Sequence, residues 1–243
     1  MSTRRRPKRP QPATARGAAT RARIVEAAAL LVSDRGVAGT SLDDIMAASG
    51  TSKSQLYHYF ADREALMCAV VEARAGRVLD SQESCLLSVR SLADLRRWRD
   101  EVVEMNRVGG CIGGCPIGSL ASELADHSER ARRLLAGSFA KWEARLAASL
   151  TAMQDRGELD PNANPDDLAT AVIGALQGGL LLAQTARSTR PLELSLDMAL
   201  DHVAHHLVRG QKKQQSGCIS PGPRAASWPS LEAAPDSRRG PSG

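Results

Sequence analysis

Two short helical segments on either side of a single glycine constrain this chain more than any other feature. Each segment opens on a capping box, in which a serine oxygen accepts a backbone amide and the side chain three positions later returns the bond. The two boxes are Ser41 with Asp44 and Ser52 with Gln55. Gly50 lies between them. Because two capped helices joined by a glycine turn are typical of a helix-turn-helix, the sequence predicts that motif.

The flanking segments supply the packing that these helices need, since a helix of about eight residues is unstable alone in water. Upstream, apolar residues recur at i, i+3, i+4 and i+7 from Ile24, so we predict a helix that begins at Thr20. Downstream, Asp62 can cap a longer helix. The second short segment has one apolar stripe, Leu56 with Phe60, which leaves its other faces for a partner.

Composition favours an all-α fold for the whole chain. Aromatic residues make up only 3% of the 243 residues, so the core must be built from Ala, Leu, Val and Ile, the usual material of helix-on-helix packing. We predict an N-terminal three-helix domain over residues 20–64 and a C-terminal helical domain over residues 65–210.

The two ends of the chain differ from this middle part in charge and composition. Residues 1–19 carry six basic and no acidic residues, and residues 211–243 are rich in Pro, Gly and Ser. Neither end shows apolar periodicity, so we expect a disordered basic arm and a disordered tail. The net charge of +5 resides in these ends, because residues 20–210 carry 21 basic and 25 acidic residues.

The second short segment carries side chains suited to DNA. Both tyrosines of the chain, Tyr57 and Tyr59, lie on it, and Lys53, Ser54 and Gln55 lie in its first turn. Lysine donates to guanine or phosphate, glutamine pairs with adenine, and the first turn of such a helix enters the major groove. A plain scaffold hairpin, in which Gln55 only closes its capping box, is the alternative.

The charge of this domain is the weak point of a DNA-binding interpretation. Residues 20–64 hold five Lys/Arg against six Asp/Glu, whereas phosphate neutralisation normally supplies much of the affinity. The basic arm directly before the first helix could supply the missing positive charge, since such arms reach into an adjacent minor groove.

The order and spacing of these residues resemble the DNA-binding signature of the TetR family of bacterial repressors. The matching parts are residues 40–45, 50, 52–53, 56–60 and 63–66. The resemblance implies that Gly50 makes the turn and that residues 52–59 form the recognition helix. It also implies DNA contacts by Ser41, Ser52, Lys53, Ser54, Gln55, Tyr57, Tyr59 and Arg63. Family members act as homodimers on palindromic operators and leave DNA when a small molecule fills their second domain.

The remainder of the chain is expected to bind such a small-molecule effector. Residues 115–120, Cys-Pro-Ile-Gly-Ser-Leu, are similar to a stretch near the pocket in one branch of these repressors. We predict a largely apolar effector and pocket contacts by Trp98, Met105, Cys115, Phe139 and Trp142. Helical core packing is the alternative explanation for the aromatic residues and the methionine.

Residues 168–209 should form the last two helices, which in the family pair with their copies in the partner subunit. Small residues on neighbouring faces allow close approach, so we predict a dimer seam at Gly174, Gly178, Gly179 and Ala183. Residues 168–186 contain no charged side chain and are long enough to cross a bilayer. Their Gln, Gly and Ala content favours a soluble dimer helix instead, with no membrane partner.

Five cysteines, an odd set, and a first segment without the apolar run of a secretory signal favour a reduced cytoplasm. Cys111 and Cys115 leave two interpretations open, namely small buried side chains or a thiol-based redox or electrophile switch. Their spacing matches no zinc motif, so we predict no metal and no cofactor. A cysteine-dependent enzyme with Cys115 and His127 lacks an orienting third group, so we predict a protein that is not an enzyme.

Overall fold

The computed structural model describes residues 14–208, except for the side chains of residues 83, 84 and 87. This part of the chain forms nine α-helices and one isolated β-bridge between Leu159 and Leu207. The helices are α1 (Ala15–Arg35), α2 (Leu42–Ser49), α3 (Lys53–Tyr59), α4 (Arg63–Leu87), α5 (Leu92–Val108), α6 (Pro116–Leu124), α7 (Glu129–Asp155), α8 (Pro165–Ala186) and α9 (Arg190–His205). The predicted all-α fold is confirmed.

The chain divides into two compact units at Val70, inside α4. The first unit holds α1, α2, α3 and the first turns of α4, and the second unit holds the rest of α4 and α5 to α9. The predicted boundary lay after residue 64, at the start of α4. The structure instead continues the first unit through two fully buried α4 residues, Leu66 and Val70.

Helix α1 begins at Ala15, earlier than the predicted start at Thr20. The Thr14 hydroxyl accepts the Gly17 amide at 3.1 Å and so caps the helix. The first five residues of the helix were assigned to the disordered arm because they lack apolar periodicity, and that assignment is corrected here. Residues 1–13 of the predicted arm and the predicted tail lie outside the described residues.

The turn between α2 and α3 forms at the predicted glycine. Gly50 adopts the left-handed conformation, with φ 61° and ψ 38°, which a residue with a side chain adopts only under strain. The buried hydroxyls of Ser49 and Thr51 bond each other across this turn at 2.7 Å. The core of the first unit contains the fully buried side chains of Ile24, Ile45, Leu56 and Leu66.

In the second unit, α8 packs against α7 and α9, and α9 also packs against α5. Two buried polar side chains in this unit make hydrogen bonds between helices. The indole nitrogen of Trp98 donates to Gln82 Oε1 at 2.8 Å, and the Ser149 hydroxyl donates to the Leu86 carbonyl at 3.0 Å. These bonds fix α4 against α5 and α7.

The four small residues predicted for a dimer seam fall on two different faces of α8. Gly179 and Ala183 are buried inside the chain, and a Cβ on Gly179 would lie 3.0 Å from Leu192 Cα. Gly179 therefore serves the packing of α8 on α9, and Ala183 lies in the core of the second unit, which corrects their predicted placement at a dimer seam. Gly174 and Gly178 are exposed, with open space around them.

By length and composition alone, α8 is the one helix among the described residues that could cross a membrane. Eight of its residues are buried within the chain, and α7 and α9 pack against it. Packing in the core of the second unit thus explains the apolar composition of α8.

Gly179→Ala should lower the free energy of unfolding by about 1–3 kcal/mol, because the new methyl group would press on the α9 backbone. Gly137→Ala is the matched control, since this exposed α7 glycine has open space around it. There the alanine should raise the free energy of unfolding by about 1 kcal/mol through helix propensity. Urea unfolding at fixed protein concentration compares the two variants. Equal effects at both positions would contradict the packing of α8 on α9.

Candidate functional site

The exposed face of α3 carries two rows of side chains at i, i+4 spacing. Lys53 and Tyr57 form one row, and Ser54 and His58 form the other. Lys53, Ser54 and Tyr57 have no hydrogen-bond or ion-pair partner among the described residues, and Tyr57 is 46% exposed. The opposite face holds Leu56, which is fully buried. The helix therefore presents three polar side chains, those of Lys53, Ser54 and Tyr57, that nothing in the described first unit engages.

Two predicted DNA contacts, Ser52 and Gln55, instead close the start of α3. Gln55 Oε1 accepts the Ser52 amide at 3.0 Å, and Ser52 Oγ accepts the Gln55 amide at 3.2 Å. Because the carboxamide oxygen of Gln55 is engaged, the bidentate pairing with adenine is not available in this arrangement. The sequence left this capping role open as the alternative, and the structure shows it.

Ser41 likewise closes the start of α2. Its hydroxyl accepts the Asp44 amide and lies 2.6 Å from Asp44 Oδ2, while its own amide donates to the same carboxylate. These hydrogen bonds lower the pKa of Asp44, with the Ser41 hydroxyl as the largest cause. The carboxylate is therefore ionised at neutral pH, and the capping box stays closed.

Tyr59 is half-buried and lies beside the start of α1. A Cβ on Gly17 would come within 3.5 Å of the tyrosine hydroxyl. The ring of His58 packs edge-on against the Tyr59 ring at 4.9 Å between centroids. Because the first turn of α1 holds no acidic residue, its exposed amides and this hydroxyl form a surface compatible with phosphate.

Arg63, a further predicted DNA contact, braces the loop between α1 and α2. Its guanidinium donates to the carbonyl of Val37 and, at 2.9 Å, to the carbonyl of Thr40. Both bonds come from one terminal nitrogen, Nη2, which lies one bond further from the backbone than the nitrogen of a lysine. The structure thus gives Arg63 a structural role that a sequence pattern does not reveal.

Lys53 is distinct among the five cations of residues 20–64, which are Arg21, Arg23, Arg35, Lys53 and Arg63. The Arg21 guanidinium lies over the Phe60 ring at 5.2 Å, and Arg23 Nε donates to the Ser49 carbonyl at 2.8 Å. Arg35 pairs with Asp34. Within the described chain, Lys53 is the cation of this segment that has no such partner.

His58 is the exposed α3 residue that sequence reasoning did not include among the DNA contacts. It lies one turn after Ser54 on the same exposed row. The i, i+4 spacing from Ser54 was the signal that could have identified it.

The residues predicted to line an effector pocket lie on α5, α6 and α7. Trp98 and Trp142 are buried, Met105 and Phe139 are half-buried, and Cys115 is buried at the start of α6. Trp98 is fully bonded through Gln82, whereas the indole nitrogen of Trp142 has no partner among the described residues.

Cys111 and Cys115 are buried free thiols. Burial raises the pKa of Cys115, and the nearby amides of Gly118 and Ile117 and the side chain of Gln177 lower it by less. A buried neutral thiol is a poor nucleophile, so this environment disfavours both the redox switch and the cysteine enzyme. In the described part of the chain, no three His, Cys, Asp or Glu side chains are grouped so as to hold a metal ion.

Comparison with protein families identifies the chain. Residues 24–70 match the family described as bacterial regulatory proteins, tetR family, and residues 91–199 match the tetracyclin repressor-like C-terminal domain. The chain belongs to the TetR family. This TetR-family protein is a DNA-binding transcriptional regulator, and its first matched segment contains α2 and α3.

Similar proteins agree with this assignment. An uncharacterized HTH-type transcriptional regulator of Mycobacterium tuberculosis is 29% identical over 183 residues, which cover 72% of this chain and 89% of that protein. The HTH-type transcriptional repressor DhaR of Mycobacterium sp. strain GP1 is 26% identical over 183 residues, which cover 74% and 90%. A TetR transcriptional regulator from Chloroflexus aurantiacus matches with a TM-score of 0.70 and 27% identity, covering 80% of this chain and 98% of that one.

Arg63→Lys should lower the free energy of unfolding of this TetR-family protein by about 1–2 kcal/mol, because the shorter lysine does not bring its nitrogen to the position of Arg63 Nη2 between the two loop carbonyls. Arg16→Lys, on the exposed first turn of α1, is the matched control and should leave stability unchanged. Chemical unfolding checks both variants. Two results together would assign Arg63 to a phosphate contact instead. The first is unchanged stability in Arg63→Lys, and the second is a slope of log operator affinity against log salt concentration that falls by about one in Arg63→Ala.

Proposed function

We propose that this regulator is a homodimeric repressor that binds a palindromic operator and leaves it when a small molecule occupies the second unit. The observation that carries the proposal is the exposed face of α3, where Lys53, Ser54 and Tyr57 have no partner among the described residues and His58 lies on the same face. A helix held by its buried side and by its cap leaves such a face for the major groove.

The chemistry of this face suits base edges and phosphates together. Lys53 can donate to guanine O6 and N7 or to phosphate, and the Tyr57 hydroxyl can donate to phosphate. Ser54 can bond either kind of acceptor. Since the other cations of residues 20–64 are engaged within the unit, Lys53 is the side chain on which the affinity of this segment depends most.

An exposed apolar stripe on α8 and α9 supports a dimer. Leu181, Leu182, Leu194 and Met198 are each at least half exposed, which is unusual for large apolar residues of a soluble protein. Gly174 and Gly178 lie on the exposed side of α8 and would let a second copy approach closely. We infer that this stripe pairs with itself about a two-fold axis, as a palindromic operator requires.

Release from DNA follows from population shift. The two α3 helices must lie about 34–36 Å apart to enter successive major grooves. An effector that binds better to a form with another spacing lowers operator affinity by its difference in affinity for the two forms. This repressor would act in the cytoplasm without catalytic activity, as a soluble protein with no membrane partner.

Lys53→Ala and Tyr57→Ala should each weaken operator binding by about 1–3 kcal/mol, because each removes a donor that contacts DNA directly. The operator is first obtained as the inverted repeat shared by genomic fragments that the purified protein retains. Fluorescence anisotropy with that repeat then measures the affinity of each variant and of the double variant.

Lys141→Ala is the matched control, since Lys141 is an exposed lysine on α7 in the second unit. It should bind the operator as the unmodified protein does. Full operator occupancy by the variant that combines Lys53→Ala with Tyr57→Ala would exclude α3 as the recognition helix.

Leu181→Asp and Met198→Asp should each weaken dimerisation by about a hundredfold, because each places a charge in the apolar stripe of α8 and α9. Val108→Asp, at an apolar position 75% exposed at the end of α5, is the control and should leave the dimer intact. Sedimentation equilibrium measures the dissociation constants. Dimers of unchanged stability in both stripe variants would place the interface elsewhere.

A further inference from the structure

The end of α9 carries three histidines, His202, His205 and His206. His205 is bonded back to its own helix, because its Nδ1 donates to the Asp201 carbonyl at 2.6 Å. His202 and His206 stand one helical turn apart, the first exposed and the second half-buried. Their ring nitrogens have no hydrogen-bond or ion-pair partner within the described part of the chain. These two side chains are therefore left for a ligand.

The rings of His202 and His206 lie against each other at a spacing that suits a shared metal ion. Their centroids are 5.1 Å apart, and their planes are perpendicular, at 90°. An imidazole nitrogen binds Zn²⁺ at about 2.0–2.1 Å, which places the centroid of a ligating ring about 3.2 Å from the ion. Two such rings at an angle of about 90–110° around one ion have centroids about 4.5–5.2 Å apart. The observed separation lies within this range, so the helix already holds the two rings at the spacing of a chelate.

Long-range hydrogen bonds fix the backbone that carries this pair. The His206 carbonyl accepts the Asp160 amide at 2.8 Å, and the Val208 amide donates to the Glu158 carbonyl at 3.0 Å. The buried side chain of Leu207 lies between these two bonds in the chain. Helix ends fray when nothing holds them, whereas this end is bound to the segment that follows α7. The two rings therefore need little further ordering to bind one ion.

We propose that His202 and His206 together bind one divalent transition-metal ion through their ring nitrogens. Imidazole is a ligand that Zn²⁺, Ni²⁺ and Cu²⁺ share, whereas Mg²⁺ prefers oxygen ligands. Two histidines four residues apart on one face are also the spacing with which helical zinc sites bind their ion. The carbonyl end of α9 favours a positive charge at this position. Water completes the coordination, and the site replaces the expectation of no metal, which the cysteine spacing had suggested.

The test uses the full-length protein, purified without a histidine tag and with its five histidines labelled with nitrogen-15. Zinc chloride is the probe, and magnesium chloride is the comparison. Zn²⁺ should shift the ring signals of His202 and His206 together and saturably, while the signals of His58, His127 and His205 stay in place. Mg²⁺ should shift none of the five, because it does not exchange its oxygen ligands for imidazole.

His202→Ala and His206→Ala should each weaken Zn²⁺ binding at the remaining histidine by about tenfold or more. The reason is that the second imidazole of a chelate binds at a high effective concentration, which a single ring lacks. His205→Ala is the matched control, since it removes a histidine from the same turn and should leave the Zn²⁺ affinity of the pair unchanged. The ring signal of each remaining histidine, followed through the titration, measures the affinity in every variant.

Unchanged Zn²⁺ affinity at His202 in His206→Ala would overturn the proposal, because each ring would then bind alone. So would a loss of affinity in His205→Ala as large as in the other two variants, or a shift of the pair by Mg²⁺ equal to that by Zn²⁺. The absence of a saturable joint shift up to about 1 mM Zn²⁺ in the unmodified protein would overturn it without any variant. Since the proposed site does not depend on operator binding, none of these outcomes bears on the proposed function.

Discussion

Helix α3 contains seven residues, too few to persist without bonds at both ends and a buried anchor. The Ser52 capping box satisfies the first amides, and the Phe60 amide closes the other end by donating to the Leu56 carbonyl at 2.9 Å. Leu56 itself is fully buried. Because these three features hold the helix, Lys53 and Tyr57 are free of structural work. The exposed polar face of α3 depends on this division between residues that build the helix and residues that it displays.

The same division explains how residues 20–64 can belong to a DNA-binding domain without being basic in composition. Arginines that a charge count would assign to phosphate are committed to the fold, as Arg23 is to the Ser49 carbonyl and Arg63 to the loop carbonyls of Val37 and Thr40. Within residues 20–64, few free cations remain to release counterions. In the proposed homodimer, the affinity of this segment would come from contacts with base edges and from two copies on one operator, which favours discrimination between sequences over general attraction to DNA.

Local hydrogen bonds were predictable from the sequence, and contacts between distant residues were not. Both capping boxes and the turn at Gly50 involve residues at most three positions apart, so spacing alone identified them. Arg63 bonds a carbonyl 26 positions away, and no pattern within a helix reports that partner. Gly178 and Gly179 are adjacent and chemically identical, yet one faces open space and the other meets Leu192 of α9. The direction in which each glycine faces depends on how α8 is rotated against α9, which helical periodicity leaves undetermined.

Few polar side chains are buried in the second unit, so the hydrogen-bonding state of each one is informative. The Trp98 indole donates its one N–H to Gln82, so this pair stabilises the core and has no indole donor left for a ligand. Burial keeps the Cys115 thiol neutral by raising its pKa, so the start of α6 has little covalent reactivity to offer an effector. Trp142 Nε1 is the opposite case to Trp98, a buried donor without an acceptor among the described residues, and such a group costs more free energy than a missing apolar contact.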